Sequence, residues 1–103
     1  MNNALLIKNG TIVTTEKIFK ADLLSKNGII EMIEETIAAK PEYEIIDASG
    51  LHVMAGVIDP QVHFREPGHE WKEDLFSGSR AAASGGVTTF LDMPNNKPSI
   101  TTV

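Results

Sequence analysis

Apolar and polar positions change their rhythm once along this chain, near residue 55. Before that point the apolar residues come in short runs broken by turn-forming pairs. Leu5-Leu6-Ile7 stops at Asn9-Gly10, and Thr11-Ile12-Val13-Thr14-Thr15 follows. An Asn-Gly pair between two such runs is the strongest short-range signal for a hairpin, because the favoured two-residue turn needs positive φ at both central residues. The pattern recurs in Ala21-Asp22-Leu23-Leu24-Ser25, Asn27-Gly28 and Ile29-Ile30-Glu31-Met32-Ile33. Glu44-Ile45-Ile46-Asp47 and Leu51-His52-Val53-Met54 follow, separated by a turn at Ser49-Gly50. Residues 34–40 suit either a short helix or a loop, since Pro41 biases its predecessor away from helix. The first half is expected to be a small, mostly antiparallel sheet.

After residue 55 the runs lengthen. The stretch 57–64 is apolar at Val57, Ile58, Val62 and Phe64 without clean alternation, as in a strand buried on both faces. Arg65-Glu66-Pro67-Gly68 breaks it. The spacing then predicts a helix over 70–84, with Trp71, Leu75 and Ala82 on one face and Ser79 between them. Glu70, Glu73 and Asp74 would occupy its first turns, where the dipole favours anions, with Arg80 nearer the other end. Gly78 inside this helix should cost about 1 kcal/mol relative to Ala. Gly85-Gly86 is a stop signal. Residues 87–93 form a second buried strand, ended by Pro94-Asn95-Asn96-Lys97-Pro98. A strand–helix–strand unit of this kind is α/β, parallel and right-handed. Two parallel strands do not close a core, and a full (β/α)8 barrel takes ~250 residues. A chain of 103 residues is therefore expected to be part of something larger or to find partners elsewhere.

Composition narrows the setting. Hydrophobic residues make up 42% of the chain and charged residues 22%, values of a folded domain and not of a disordered segment. A net charge of -5 with no block of Lys or Arg argues against a nucleic-acid partner. With no cysteine, disulfides and thiolate metal sites are excluded, so any metal must take nitrogen and oxygen ligands. The N-terminus lacks the basic start and long apolar run of a signal peptide. No stretch approaches the roughly 20 apolar residues of a membrane span. The expected location is cytoplasmic, with no membrane partner.

The chemistry gathers at the ends of the two later strands. The first delivers Asp59, Gln61, His63 and Arg65, the second Asp92 and Asn95. In a parallel unit these carboxyl ends lie side by side, where ligands bind in barrels and open α/β sheets. His63 is a candidate metal ligand, its plain alternative being a hydrogen-bonded polar residue at the sheet edge. Gln61 shares its face, offering a neutral and weaker oxygen. The planar fork of Arg65 suits a carboxylate, or simply a surface turn. Asn95 after Pro94 also fits turn chemistry. Asp59 before Pro60 either caps a local turn or orients a ligand from behind. His69 is expected to be solvated and His52 structural. No GxGxxG or Gly-Lys-Ser/Thr pattern supports a nucleotide site.

The run Gly56-Val57-Ile58-Asp59-Pro60-Gln61-Val62-His63-Phe64-Arg65-Glu66-Pro67-Gly68 resembles the first-strand signature of dihydroorotases. The resemblance continues through Lys72-Glu73-Asp74, Gly78-Ser79-Arg80-Ala81-Ala82-Ala83, Gly85-Gly86-Val87-Thr88-Thr89 and Met93-Pro94-Asn95. It is close over residues 50–98 and looser before them, where the chain resembles the small β-sandwich that flanks the barrel in cyclic amidohydrolases. Hydantoinases and allantoinases share this architecture, but residues 64–68 and 93–95 favour dihydroorotase. The resemblance implies that residues 1–55 are the N-terminal part of a small β-sandwich. Residues 56–103 would be the first strand–helix–strand of a TIM-type (β/α)8 barrel.

The implied activity is the reversible cyclisation of N-carbamoyl-aspartate to dihydroorotate in pyrimidine biosynthesis, with one or two Zn²⁺ ions in the full-length protein, usually a homodimer. His63 matches the second His of the family's His-x-His metal pair. Arg65 and Asn95 match the groups that hold the substrate carboxylate. Two features depart from the pattern. Gln61 stands where the family usually has His, which should weaken the metal site or limit it to one ion. The remaining ligands and the acid/base Asp are expected beyond residue 103, so no catalytic residue is expected within the chain and it should be inactive alone. The alternatives are a non-catalytic homologue, an inactive truncated product, or an allantoinase or hydantoinase.

Overall fold

The computed structural model describes residues 3–99. The chain divides into two compact units, one ending at Ala55 and the other starting at Gly56. The first holds five strands: β1 (Ala4–Val13), β2 (Ile18–Lys26), β3 (Ile29–Glu34), β4 (Glu44–Asp47) and β5 (His52–Val53). Their order is β3-β2-β1-β4, and β5 also pairs with β1. The β1–β2 and β2–β3 pairs are antiparallel, but β4 and β5 run parallel to β1, along Leu5–Lys8 and Thr11–Ile12. The longer ladders are antiparallel, as expected, but the sheet is mixed, because the short strands β4 and β5 join parallel to β1. The cause lies in the connection after β3. Residues 35–43 carry the chain back along the sheet, so β4 starts beside the start of β1.

Asn9-Gly10 is not the hairpin turn that the sequence predicts. β1 runs straight through it, with Asn9 at φ 62 and the register against β2 slipping between Ile7 and Gly10. The positive φ is used for a β-bulge. The Asn9 N–H, turned out of the ladder, donates to Asp22 Oδ1 at 2.8 Å. The chain reverses instead at Thr14–Lys17. There the Thr14 N–H donates to the Lys17 carbonyl at 3.0 Å, and Thr14 Oγ1 accepts the N–H groups of Glu16 and Lys17. Asn27-Gly28 does make the expected tight turn, with φ of 51 and 78.

Residues 35–40 form a loop and not the alternative helix. Ile37 is buried, and its backbone is pinned at both ends. Its N–H donates to Asp22 Oδ2 at 2.9 Å, and its carbonyl accepts from Lys8 Nζ at 2.9 Å. Lys8 and Asp22 themselves pair at 2.8 Å. Leu23 and Leu24, adjacent on β2, point to opposite faces. Leu24 joins Leu6, Ile37 and Tyr43, while Leu23 joins Ile12, Ala21, Ile7, Phe19 and Val53. The first unit therefore has a small cluster on each side of its sheet.

The second unit consists of β6 (Val57–Val62), α1 (Leu75–Ser84) and β7 (Val87–Asp92), with β6 and β7 parallel as expected. The helix starts five residues later than the spacing predicts. Asp74 is its N-cap, its carboxylate accepting the Ser77 N–H at 2.7 Å, while Glu66 Oε2 accepts the Leu75 N–H at 2.7 Å. Two carboxylates thus satisfy amide groups that the first helical turn leaves unpaired. Glu70 and Trp71 lie in turns ahead of the helix, and Trp71 is 80% exposed.

Gly78 is the buried residue of α1. A Cβ placed there would stand 2.7 Å from the Phe64 ring. Phe64 in turn meets Phe90 edge-on, with ring centroids 4.5 Å apart. The glycine is a packing requirement and not a cost. The expectation of strands buried on both faces fails here. Val57, Ile58 and Leu91 are more than half exposed, because one helix covers only part of a two-stranded sheet. Among the described residues no helix is long and apolar enough to cross a membrane.

Candidate functional site

The carboxyl ends of β6 and β7 are tied together by a short set of hydrogen bonds. β6 becomes irregular between Asp59 and Val62. Pro60 has no N–H to give there, and Asp59 Oδ1 accepts the Gln61 N–H at 3.0 Å. Of the two roles considered for Asp59, capping a local turn is the contact present. Past Val62 the chain leaves the strand, and β7's end takes hold of it. The Met93 N–H donates to the Val62 carbonyl at 2.9 Å. Asp92 Oδ1 accepts the Phe64 N–H at 3.0 Å. Asn96, 3% exposed, donates through Nδ2 to the carbonyls of Phe64 at 2.9 Å and Glu66 at 2.8 Å. The Lys97 N–H donates to the Pro67 carbonyl at 2.9 Å.

These ties bring two of the predicted site residues together. His63 Nδ1 lies 3.2 Å from Asn95 Oδ1, across 32 positions of sequence. Both side chains are exposed. Arg65 is half-buried, and among the described residues nothing hydrogen-bonds or ion-pairs with its guanidinium. Its backbone carbonyl accepts the His69 N–H at 2.7 Å, which fixes the loop and leaves the side chain unspent. Gln61 is exposed, and its side chain likewise has no hydrogen-bond partner among the described residues. The arrangement offers an imidazole, an amide and a guanidinium on one segment pair, with no acid/base carboxylate among them.

Two buried oxygens at this end lack partners among the described residues, Asp92 Oδ2 and Asn96 Oδ1. In sequence Asp92 is a polar strand end, and nothing in the letters around Asn96 marks it out. Asn96 sits in a run of Pro, Asn and Lys whose composition says turn and nothing more. Its role as a tie depends on the Phe64 and Glu66 carbonyls, which are far from it in sequence.

His63 suits a metal, because contact with Asn95 occupies Nδ1 and leaves Nε2 uncommitted. The other donors are missing. Among the described residues no three His, Asp or Glu side chains converge. Gln61 could add only a neutral oxygen. Among the described residues no metal site is assembled. A larger groove, about 610 Å³, lies in the first unit beside Asn9, Lys20, Asp22, Glu34 and Glu35. Its buried carboxylate, Asp22, accepts three hydrogen bonds from within the unit, from Lys8, Asn9 and Ile37.

Residues 52–103 match the amidohydrolase family. Over 98 residues the chain is 48% identical to a dihydroorotase of Aquifex aeolicus, covering 93% of this chain and 23% of that protein. It is 47% identical over 94 residues to dihydropyrimidinase 1 of Caenorhabditis briggsae, covering 89% and 19%. Among solved structures, the L-hydantoinase (dihydropyrimidinase) of Arthrobacter aurescens aligns with a TM-score of 0.81 at 32% identity, covering 99% of this chain and 23% of that one. The chain spans about a quarter of the length of the curated relatives it matches, 23% in the first case.

Proposed function

The chain belongs to the amidohydrolase family, and on that premise we propose that it is the amino-terminal part of a dihydroorotase-like hydrolase. In this reading the first unit is part of a small β-sandwich, and β6-α1-β7 opens a TIM-type barrel. The substrate is the six-membered ring of dihydroorotate, opened to N-carbamoyl-aspartate and closed again in pyrimidine biosynthesis. The observation that carries the reading is the pairing of His63 with Asn95 at the carboxyl ends of two parallel strands. Ligands bind at that end of a barrel. The 48% identity to a dihydroorotase supports the choice of substrate.

The proposed roles follow from each side chain's chemistry. The unspent guanidinium of Arg65 grips the substrate carboxylate through two parallel hydrogen bonds. The Nδ2 group of Asn95, not used in its contact with His63, donates to the same carboxylate. Together they fix the ring's orientation before any bond changes. His63 presents Nε2 as one ligand of a divalent metal, with Gln61 as a weak oxygen beside it and the other ligands coming from outside the described residues. A metal held there, zinc in the simplest case, would supply Lewis acidity toward a ring carbonyl and an activated water near neutral pH. Asp59 acts from behind by holding the irregular end of β6.

Turnover of dihydroorotate, dihydrouracil and hydantoin by the full-length gene product tests this. Dihydroorotate should be the preferred substrate. Arg65→Ala should raise KM for it by roughly 10- to 100-fold, the worth of a charge-assisted pair, and leave metal content unchanged. An unaltered KM would remove Arg65 from the carboxylate. A second reading, a dihydropyrimidinase, is favoured by the 47% identity to dihydropyrimidinase 1. Faster opening of dihydrouracil than of dihydroorotate would select it.

A further inference from the structure

Asn95 faces His63 with its carbonyl oxygen, at 3.2 Å from Nδ1. That oxygen can only accept. A neutral imidazole carries one proton, so the contact is a hydrogen bond only if the proton sits on Nδ1. The lone pair then belongs to Nε2. We propose that Asn95 is a positioning residue that locks His63 in the Nδ1–H tautomer and so makes Nε2 the nitrogen that binds. That it binds a metal rests on the function proposed above, whereas the tautomer rests on the geometry alone.

The surroundings make this lock more than a chance approach of two exposed side chains. The residue after His63 is clamped on both sides of its peptide, with Phe64 N–H held by Asp92 and Phe64 carbonyl held by Asn96. The residue before it, Val62, is tied to Met93. Asn96 follows Asn95 directly, so the two partners are fixed on neighbouring backbone positions at each end of their contact. The Phe64 ring, seated against Gly78 and Phe90, anchors the same segment from below. The backbone carrying His63 is thus held in place, and Asn95 is the side chain its imidazole meets. A metal-binding imidazole commonly has its second nitrogen oriented by such an acceptor. Here that acceptor comes from a residue also assigned to the substrate. One amide would then align the ligand nitrogen through its oxygen and the substrate through its nitrogen.

The test is the ¹⁵N spectrum of histidine side chains in the metal-free protein, recorded at a pH where imidazole is neutral. His63 Nδ1 should give a pyrrole-type signal and Nε2 a pyridine-type one. In Asn95→Leu the pattern should move towards the opposite tautomer, which an unrestrained histidine side chain favours in water. Asn95→Asp keeps an acceptor oxygen and should keep the proton on Nδ1. Signals of His52 and His69 should stay in place in all three proteins and report an intact fold. A pyridine-type Nδ1 in the unaltered protein overturns the proposal, as does an Asn95→Leu spectrum identical to it. If the tautomer holds but dihydroorotate is not turned over, the functional reading falls and the lock stands. If dihydroorotate is turned over with the opposite tautomer, the lock falls and the function stands.

Discussion

Asp22 accepts hydrogen bonds from the backbone of Asn9 and Ile37 and from the Lys8 ammonium, and it is almost wholly buried. Burial alone would raise its pKa, but the Ile37 N–H, the Lys8 ammonium and the Asn9 N–H outweigh it and hold the group at about 2. A carboxylate depressed in the folded state stabilises the fold fully above its unfolded pKa, near 3.8, and loses that stabilisation as pH falls through about 2. Chemical denaturation of the protein between pH 5 and pH 2 should therefore show a loss from this group of about 2 kcal/mol, so that Asp22→Asn loses less stability over the same range than the unaltered protein does. Asp22→Ala should cost about 3 kcal/mol at neutral pH, because it leaves Lys8 and two amides without their acceptor. Gly78 makes the opposite point about local rules. Helix propensity says that Ala should stabilise there, whereas the Phe64 ring stands 2.7 Å from where its Cβ would be. Gly78→Ala should destabilise by about 1–3 kcal/mol in the same denaturation assay, and a gain in stability would show that the ring can move aside. Neither residue's weight was legible in sequence. Asp22 is one letter of an apolar run, and Gly78 reads only as a flaw in a helix.

At the scale of elements, sequence patterns were most informative where the deciding interaction is local. Asn27-Gly28 needs nothing but its own dihedrals to reverse the chain, and it does so. Asn9-Gly10 carries the same signal, yet β1 has partners on both flanks there, β2 on one side and β4 and β5 on the other. Pairing on two sides overrides the turn and turns it into a bulge. The helix begins later than its spacing suggests for a related reason. Residues 70–74 have a helix-compatible charge pattern, but Asp74 captures the Ser77 N–H and stops the helix from extending backwards. That bond also holds the Asp74 carboxyl below the usual carboxylate range. Asp74→Ala should fray the first turn, seen as faster amide exchange at Ser77 with the end of the helix near Ala83 unchanged. Uniformly faster exchange along α1 would mean that the cap supports the whole helix and not its first turn.

Viewed whole, both units leave large apolar side chains exposed, Ile18, Ile29 and Ile30 among them in the first, but they differ in how much they bury. The first buries Leu6, Leu24 and Ile37 on one face and Ile12, Ala21 and Leu23 on the other. The second leaves Val57, Ile58, Phe76 and Leu91 largely open to solvent. Hydrogen exchange on the 103-residue chain should thus protect β1 and β2 more strongly than β6 and β7. Equal protection would show that the open faces are covered in solution. This contrast was foreseeable in part, since a strand–helix–strand pattern announces apolar faces that it cannot cover by itself. The site was legible as a set of residues at two strand ends, but the ties that assemble it were not. They run from β7's end to backbone atoms around Phe64, and a backbone atom has no letter in the sequence. Because Asp92, Asn96 and the main chain carry the structural load, the side chains of Gln61 and His63 bear almost none. Position 61 is accordingly open ground for evolution: an imidazole could replace the amide there without taxing the fold, and chemistry at this strand end could be gained or lost while the scaffold beneath it stayed the same.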